Sequence, residues 1–170
     1  MSIRFSADEI FEMAEEIERN GARLYRKAAE KAADKDTKEY LLSMAVMEDN
    51  HLKTFAAMRQ SLSAAEKEVT TFDPNDEAAL YLDAMAGSHG TEGKKSLTEE
   101  LTGQESIEEV LRIAIKAEKD SVVFYTGLKS LVPEPGSRQK VEKIIAEELS
   151  HIATLSNKLK EVTSPRRGQR

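Results

Sequence analysis

The chain of 170 residues carries 25 Lys and Arg against 31 Asp and Glu, a formal charge of -6, and its basic residues are interspersed with acidic ones, which argues against a nucleic-acid groove. It has no cysteine, which excludes disulfides, thiolate zinc sites, iron–sulfur clusters and rubredoxin-type iron, so a metal would be held by His and carboxylate. With 8 Gly, 4 Pro and no Trp, the composition predicts an all-α chain of one domain, and the lack of any long apolar run predicts a cytoplasmic protein that does not enter a membrane.

Ser6-Ala7-Asp8-Glu9 reads as a capping box. From it Ile10/Phe11, Ala14, Ile17/Glu18, Gly21, Leu24/Tyr25 and Ala28 recur at alternating spacings of three and four, which predicts a first helix over about 7–33. Glu18 lies in the middle of this apolar seam, where a charge needs a reason. Asp36-Thr37-Lys38-Glu39 offers a second box. Leu41, Met44/Ala45, Glu48, His51/Leu52, Phe55, Met58 and Leu62 then carry one face to about residue 64. The short link between these helices makes them antiparallel.

The pattern breaks over 65–104. Asp73-Pro74 predicts a short helix near 75–86, and the Gly-rich stretch around His89 reads as an exposed loop with a solvated histidine. A segment this long can return the chain along the bundle, so that the second and third long helices run parallel. Ser106-Ile107-Glu108-Glu109 caps the third helix, with the seam Val110/Leu111, Ala114, Ala117/Glu118, Ser121, Phe124/Tyr125 and Leu128. The proline-rich stretch after Leu131 ends it. A fourth helix is predicted from about Ser137 through Val141, Ile144/Ile145, Glu148, His151/Ile152, Leu155, Leu159 and Val162, followed by a basic, frayed tail at 165–170. The domain so defined covers 1–164.

Residues 6–62 and 106–162 form an internal repeat. A shift of one hundred positions pairs Ser6 with Ser106, Glu9 with Glu109, Ala14 with Ala114, Glu18 with Glu118 and Tyr25 with Tyr125. It also pairs Glu48 and His51 of MEDNH with Glu148 and His151 of EELSH. On a helix, residues three apart point into the same region, so each ExxH aims both side chains at the core. A lone ExxH is more often a solvated couple than a ligand pair. Its duplication, with an inward Glu thirty residues upstream in both halves, makes Glu18, Glu48, His51, Glu118, Glu148 and His151 a candidate dinuclear metal site.

Four carboxylates in an apolar core would each cost several kcal/mol and repel one another, and two divalent cations balance them. Glu48 and Glu148 are expected to bridge the ions, and Glu18, Glu118, His51 and His151 to act as terminal ligands. Two iron ions suit this donor set, with manganese or zinc also compatible. Open coordination positions would admit peroxide or O2. Tyr25 and Tyr125 are candidates to hydrogen-bond ligand carboxylates or to supply an oxidisable ring, against the plainer role of amphipathic packing. Met44 and Met47 read as core filler. Glu15, Glu16, Asp49 and Glu147 fall off the seam and are expected on a charged outer face.

Through AEEIERNGARLY, MEDNH, AEKDSVVFY and EELSH the chain resembles rubrerythrin-related members of the ferritin-like superfamily over nearly its whole length. The resemblance implies a four-helix bundle with a long crossover between helices 2 and 3, often dimeric, and a non-haem di-iron centre that reduces hydrogen peroxide or activates O2. A cysteine-free chain of this kind implies a separate electron donor protein. The family's extra carboxylate, one turn after the third-helix glutamate, is replaced by Ser121. The resulting six-ligand set is closer to that of bacterioferritins, which implies ferroxidase chemistry as the alternative, with a structural metal as a third reading.

Overall fold

The structure, a computed structural model, describes residues 6–32, 34–64, 67, 105–132 and 135–164. The expected helix near 75–86, the loop bearing His89, nearly all of the 65–104 crossover and the 165–170 tail lie outside the described residues. Among the described residues there are four helices: α1 (Ala7–Lys31), α2 (Lys35–Gln60), α3 (Ile107–Leu131) and α4 (Pro135–Thr163). None is long and apolar enough to cross a membrane.

The helix starts follow from their first residues. Ser6 accepts from the Glu9 backbone N–H while the Glu9 carboxylate accepts from the Ser6 N–H at 2.7 Å, and Ser106 with Glu109 repeats this box. The α2 cap differs from the expected Asp36. Asp34 is the cap, its carboxylate accepting from the Thr37 N–H at 2.8 Å. The fourth helix starts at Pro135 rather than near Ser137, because a first-turn proline loses no helical hydrogen bond and arrives with a helical φ.

Side-chain links between helix ends fix the directions. Arg59, near the end of α2, reaches Asp8 at the start of α1 at 2.8 Å, so α1 and α2 are antiparallel. Lys129 near the end of α3 meets Glu142 near the start of α4 at 3.0 Å, and Lys31 at the end of α1 meets Glu105 just before α3 at 3.0 Å. Helices α3 and α4 are therefore antiparallel, and α2 and α3 run parallel, which makes the bundle ferritin-like.

The core divides into two apolar clusters. One joins Ile10, Phe11, Ala14 and Ile17 of α1 to Phe55 and Met58 of α2, Phe124, Tyr125 and Leu128 of α3, and Val141 and Ile144 of α4. The other joins Leu24, Tyr25 and Ala28 to Leu41 and Met44, Val110, Leu111 and Ala114, and Leu155. The repeat maps one onto the other: Ile10 onto Val110, Phe55 onto Leu155, Phe124 onto Leu24 and Val141 onto Leu41. A pseudo-twofold axis across the bundle accounts for this, and the layer between the clusters is where the buried charges lie.

Candidate metal centre

Glu18 of α1, Glu48 and His51 of α2, Glu118 of α3, and Glu148 and His151 of α4 are all buried. They occupy mid-helix positions on the buried faces, three to four residues from apolar neighbours on the same seams. Their ligating atoms fall into two clusters, Glu18, Glu48, His51 and Glu148 in one and Glu48, Glu118, Glu148 and His151 in the other, each with one atom per residue lying within 4.8 Å of the rest. All six residues singled out by the repeat are thus brought together.

The carboxylate oxygens divide between the clusters. His51 Nδ1 lies 2.9 Å from Glu148 Oε1, 3.4 Å from Glu18 Oε2 and 3.5 Å from Glu48 Oε2. His151 Nδ1 lies 2.9 Å from Glu148 Oε2, 3.4 Å from Glu118 Oε1 and 3.8 Å from Glu48 Oε1. Glu48 and Glu148 each turn one oxygen to either side, while Glu18 and Glu118 belong to one side each. The two imidazoles stack with centroids 6.1 Å apart. Gly21 makes room for this, since a Cβ there would stand 3.3 Å from Glu48 Cδ.

The chemistry of the donor set fits a pair of cations. Glu18 Oε2, both oxygens of Glu148 and Nδ1 of both histidines are buried without a hydrogen-bond partner, a costly arrangement unless lone pairs are directed at ions. Four carboxylates and two neutral imidazoles balance two divalent cations in charge.

Titration behaviour reflects the same crowding. Burial pushes the Glu48 and Glu118 carboxyls well up, and neighbouring carboxylates add to it. Burial also raises Glu18, opposed by the neighbouring Glu48 and His51 side chains. Burial acts upward on Glu148 too, but the imidazoles of His151 and His51 outweigh it and hold this carboxyl below the usual range. Burial alone would lower both histidines. The carboxylates around them dominate, raising His51 and pushing His151 up to about 10.

The two tyrosines cross the site. Tyr25 of α1 donates its hydroxyl to Glu118 of α3, and Tyr125 of α3 donates to Glu18 of α1. Packing aims Tyr125, whose ring sits 4.9 Å from Phe55 and 5.7 Å from Phe124. Burial raises both phenols well above their ordinary range, and the adjacent carboxylates add to this. Both hydroxyls therefore stay protonated donors.

One neighbour departs from expectation. Glu147, predicted on a charged outer face, accepts a hydrogen bond from His51 Nε2 at 2.7 Å. Its helix seam points it off the core of α4. The antiparallel crossing of α2 and α4 nevertheless carries it over His51, which periodicity within one helix does not reveal. The other off-seam acids pair with arginines, Asp49 with Arg26, Glu16 with Arg19, and Glu15 with Arg59.

Between α1 and α3 a cavity of about 20 Å³ is bordered by Gly21, Tyr25, Glu48, Glu118 and Ser121, enough for one water-sized molecule. Ser121 is buried and gives its hydroxyl to the Ala117 carbonyl at 3.1 Å, so it faces this space without a charge.

The rubrerythrin family profile matches residues 9–160. Among solved structures the chain is similar to a ferritin-like diiron-carboxylate protein from Thermotoga maritima, at 26% identity and a TM-score of 0.75, covering 96% of this chain and 100% of that one. No curated protein sequence matches the chain.

Proposed function

The chain belongs to the rubrerythrin family, and from that membership we propose that it is a non-haem di-iron oxidoreductase that reduces hydrogen peroxide or O2. The observation that carries the reading is the division of Glu48 and Glu148 between two histidine-bearing clusters, with a terminal glutamate on each side. In this reading Glu18, Glu48, His51, Glu118, Glu148 and His151 would hold two iron ions, with Glu48 and Glu148 common to both positions. Bound iron would supply the electrons by cycling between the ferrous and ferric states.

The chain's own residues do the rest. Tyr25 and Tyr125 fix the orientation of Glu118 and Glu18 through their hydroxyl hydrogen bonds. The two apolar clusters exclude bulk water from both ends of the layer. The cavity beside Glu48 and Glu118 leaves room only for a very small molecule. In the same reading a separate donor protein re-reduces the site, and a homodimer in the cytoplasm is the expected form.

Ser121 supports one second reading. An uncharged, internally bonded side chain stands where a seventh carboxylate would be needed for a redox-linked ligand shift, so a fixed six-ligand site acting as a ferroxidase is the alternative. The experiment is anaerobic loading with two Fe2+ per chain, followed by peroxide or O2 under optical observation. Rapid oxidation by stoichiometric peroxide, with no turnover of excess Fe2+, is the expected result. Catalytic consumption of excess Fe2+ with a shell-sized particle would replace this reading by ferroxidase activity, and a loaded protein inert to both oxidants would refute both.

A further inference from the structure

The repeat makes the two halves of the centre alike in their six ligands but not in what stands behind the histidines. His51 Nε2 is held by Glu147 Oε2 at 2.7 Å, and Glu147 is in turn 3.7 Å from Lys143. Donation from Nε2 fixes the tautomer that leaves the Nδ1 lone pair facing Glu18 and Glu148, and a carboxylate acceptor makes that nitrogen more basic. Among the described residues His151 Nε2 has no hydrogen-bond partner, although it is buried. The residue that the repeat relates to Glu147 is Met47, a side chain with no strong acceptor.

The surroundings diverge in the same sense. His51 and Glu147 border a groove of about 570 Å³ between α2 and α4, together with Met47, Asn50, Thr54, Lys140, Lys143 and Ile144. The repeat relates Lys140 to Tyr40, whose phenol is pushed up to about 12 by burial. One histidine is thus backed by a carboxylate at the groove, and for the other the sequence repeat supplies methionine and tyrosine at the related positions.

We propose that the two metal positions are inequivalent, with Glu147 a positioning residue that makes the His51 position the tighter and first-filled one, and Met47 the substitution that leaves the His151 position weaker. The proposal rests on the dinuclear reading above. Its test is titration of the metal-stripped full chain with Co2+, followed by calorimetry and by the visible absorption of the bound ion. Wild type should take up two ions in steps whose Kd values differ by at least about tenfold. Glu147→Gln should weaken the first step by about 10–100-fold and leave the second in place, because outer partners of ligating histidines contribute on that scale. Met47→Glu should tighten the second step and draw the two together.

The thermal midpoint of metal-stripped Glu147→Gln should match that of wild type, as suits a partly exposed side chain. A lowered midpoint with both steps weakened alike would mean a structural role only, and would overturn the proposal. Equal affinities in wild type, or an unchanged first step in Glu147→Gln, would do the same while leaving the dinuclear reading intact. Uptake of fewer than two ions by wild type would instead refute the dinuclear reading itself. If Met47→Glu fails to fold, Glu147→Gln decides alone.

Discussion

Glu18 and Glu118 are the residues that sequence patterning exposes most sharply, since each puts a charge at the centre of an otherwise apolar seam. His51 and His151 become legible only through their repetition. Glu147 was not legible, because its partner lies on another helix and its own seam position points elsewhere. The crowding of these groups has a consequence for pH. Glu18, Glu48 and Glu118 are raised by burial, and His51 and His151 are raised by the carboxylates beside them, so near neutral pH the metal-stripped site holds protons that cations must displace. For His151 the sign is explicit: its folded-state pKa of about 10 stands above the ordinary 6.5, so it is protonated at pH 7 without metal and neutral when ligating. Loading should therefore release protons, and apparent affinity should rise as pH increases from 6 to 8. Calorimetric titration in buffers of differing ionisation enthalpy measures the release, and a proton count of zero at pH 7 would contradict the assignment.

At the scale of the helices, what could be read in advance was whatever depends on neighbours within a few residues. The boxes at Ser6 and Ser106 appear as expected, since Ser and Glu three apart satisfy each other's backbone donors whatever the rest of the fold does. The start of α2 was misplaced by two residues because Asp34 and Asp36 both qualify locally, and it is Asp34 whose carboxylate reaches the Thr37 N–H. The start of α4 was missed for a related reason, as Pro135 can either stop a helix or open one. Ser6→Ala should lower stability by about 1 kcal/mol, because it removes the acceptor for the Glu9 N–H and leaves the Glu9 carboxylate with one partner fewer. A urea midpoint unchanged from wild type would show that the box contributes nothing. The variant should leave metal content unaltered, since Ser6 lies more than three helical turns from Glu18.

Among the described residues the bundle is two apolar clusters separated by a charged layer, and that division follows from the repeat: a twofold relation places each half's seam glutamates at the same level. The layer opposes folding when its charges are uncompensated, because four carboxylates are packed together out of water. Cations reverse the sign by binding the folded bundle far better than the unfolded chain, where the six ligands are scattered. At free metal about one hundredfold above Kd, each site adds about 2.7 kcal/mol, so two sites add about 5 kcal/mol and raise Tm by about 10–20 °C for a chain of this size. Chelator should remove that increment, and metal should restore it. In the double variant Glu48→Gln with Glu148→Gln both shared ligands are lost, so added metal should leave its Tm unmoved. A double variant that still gains stability from metal, or a wild type that gains none, would remove the charge-balance account of why four glutamates occupy the centre of the bundle.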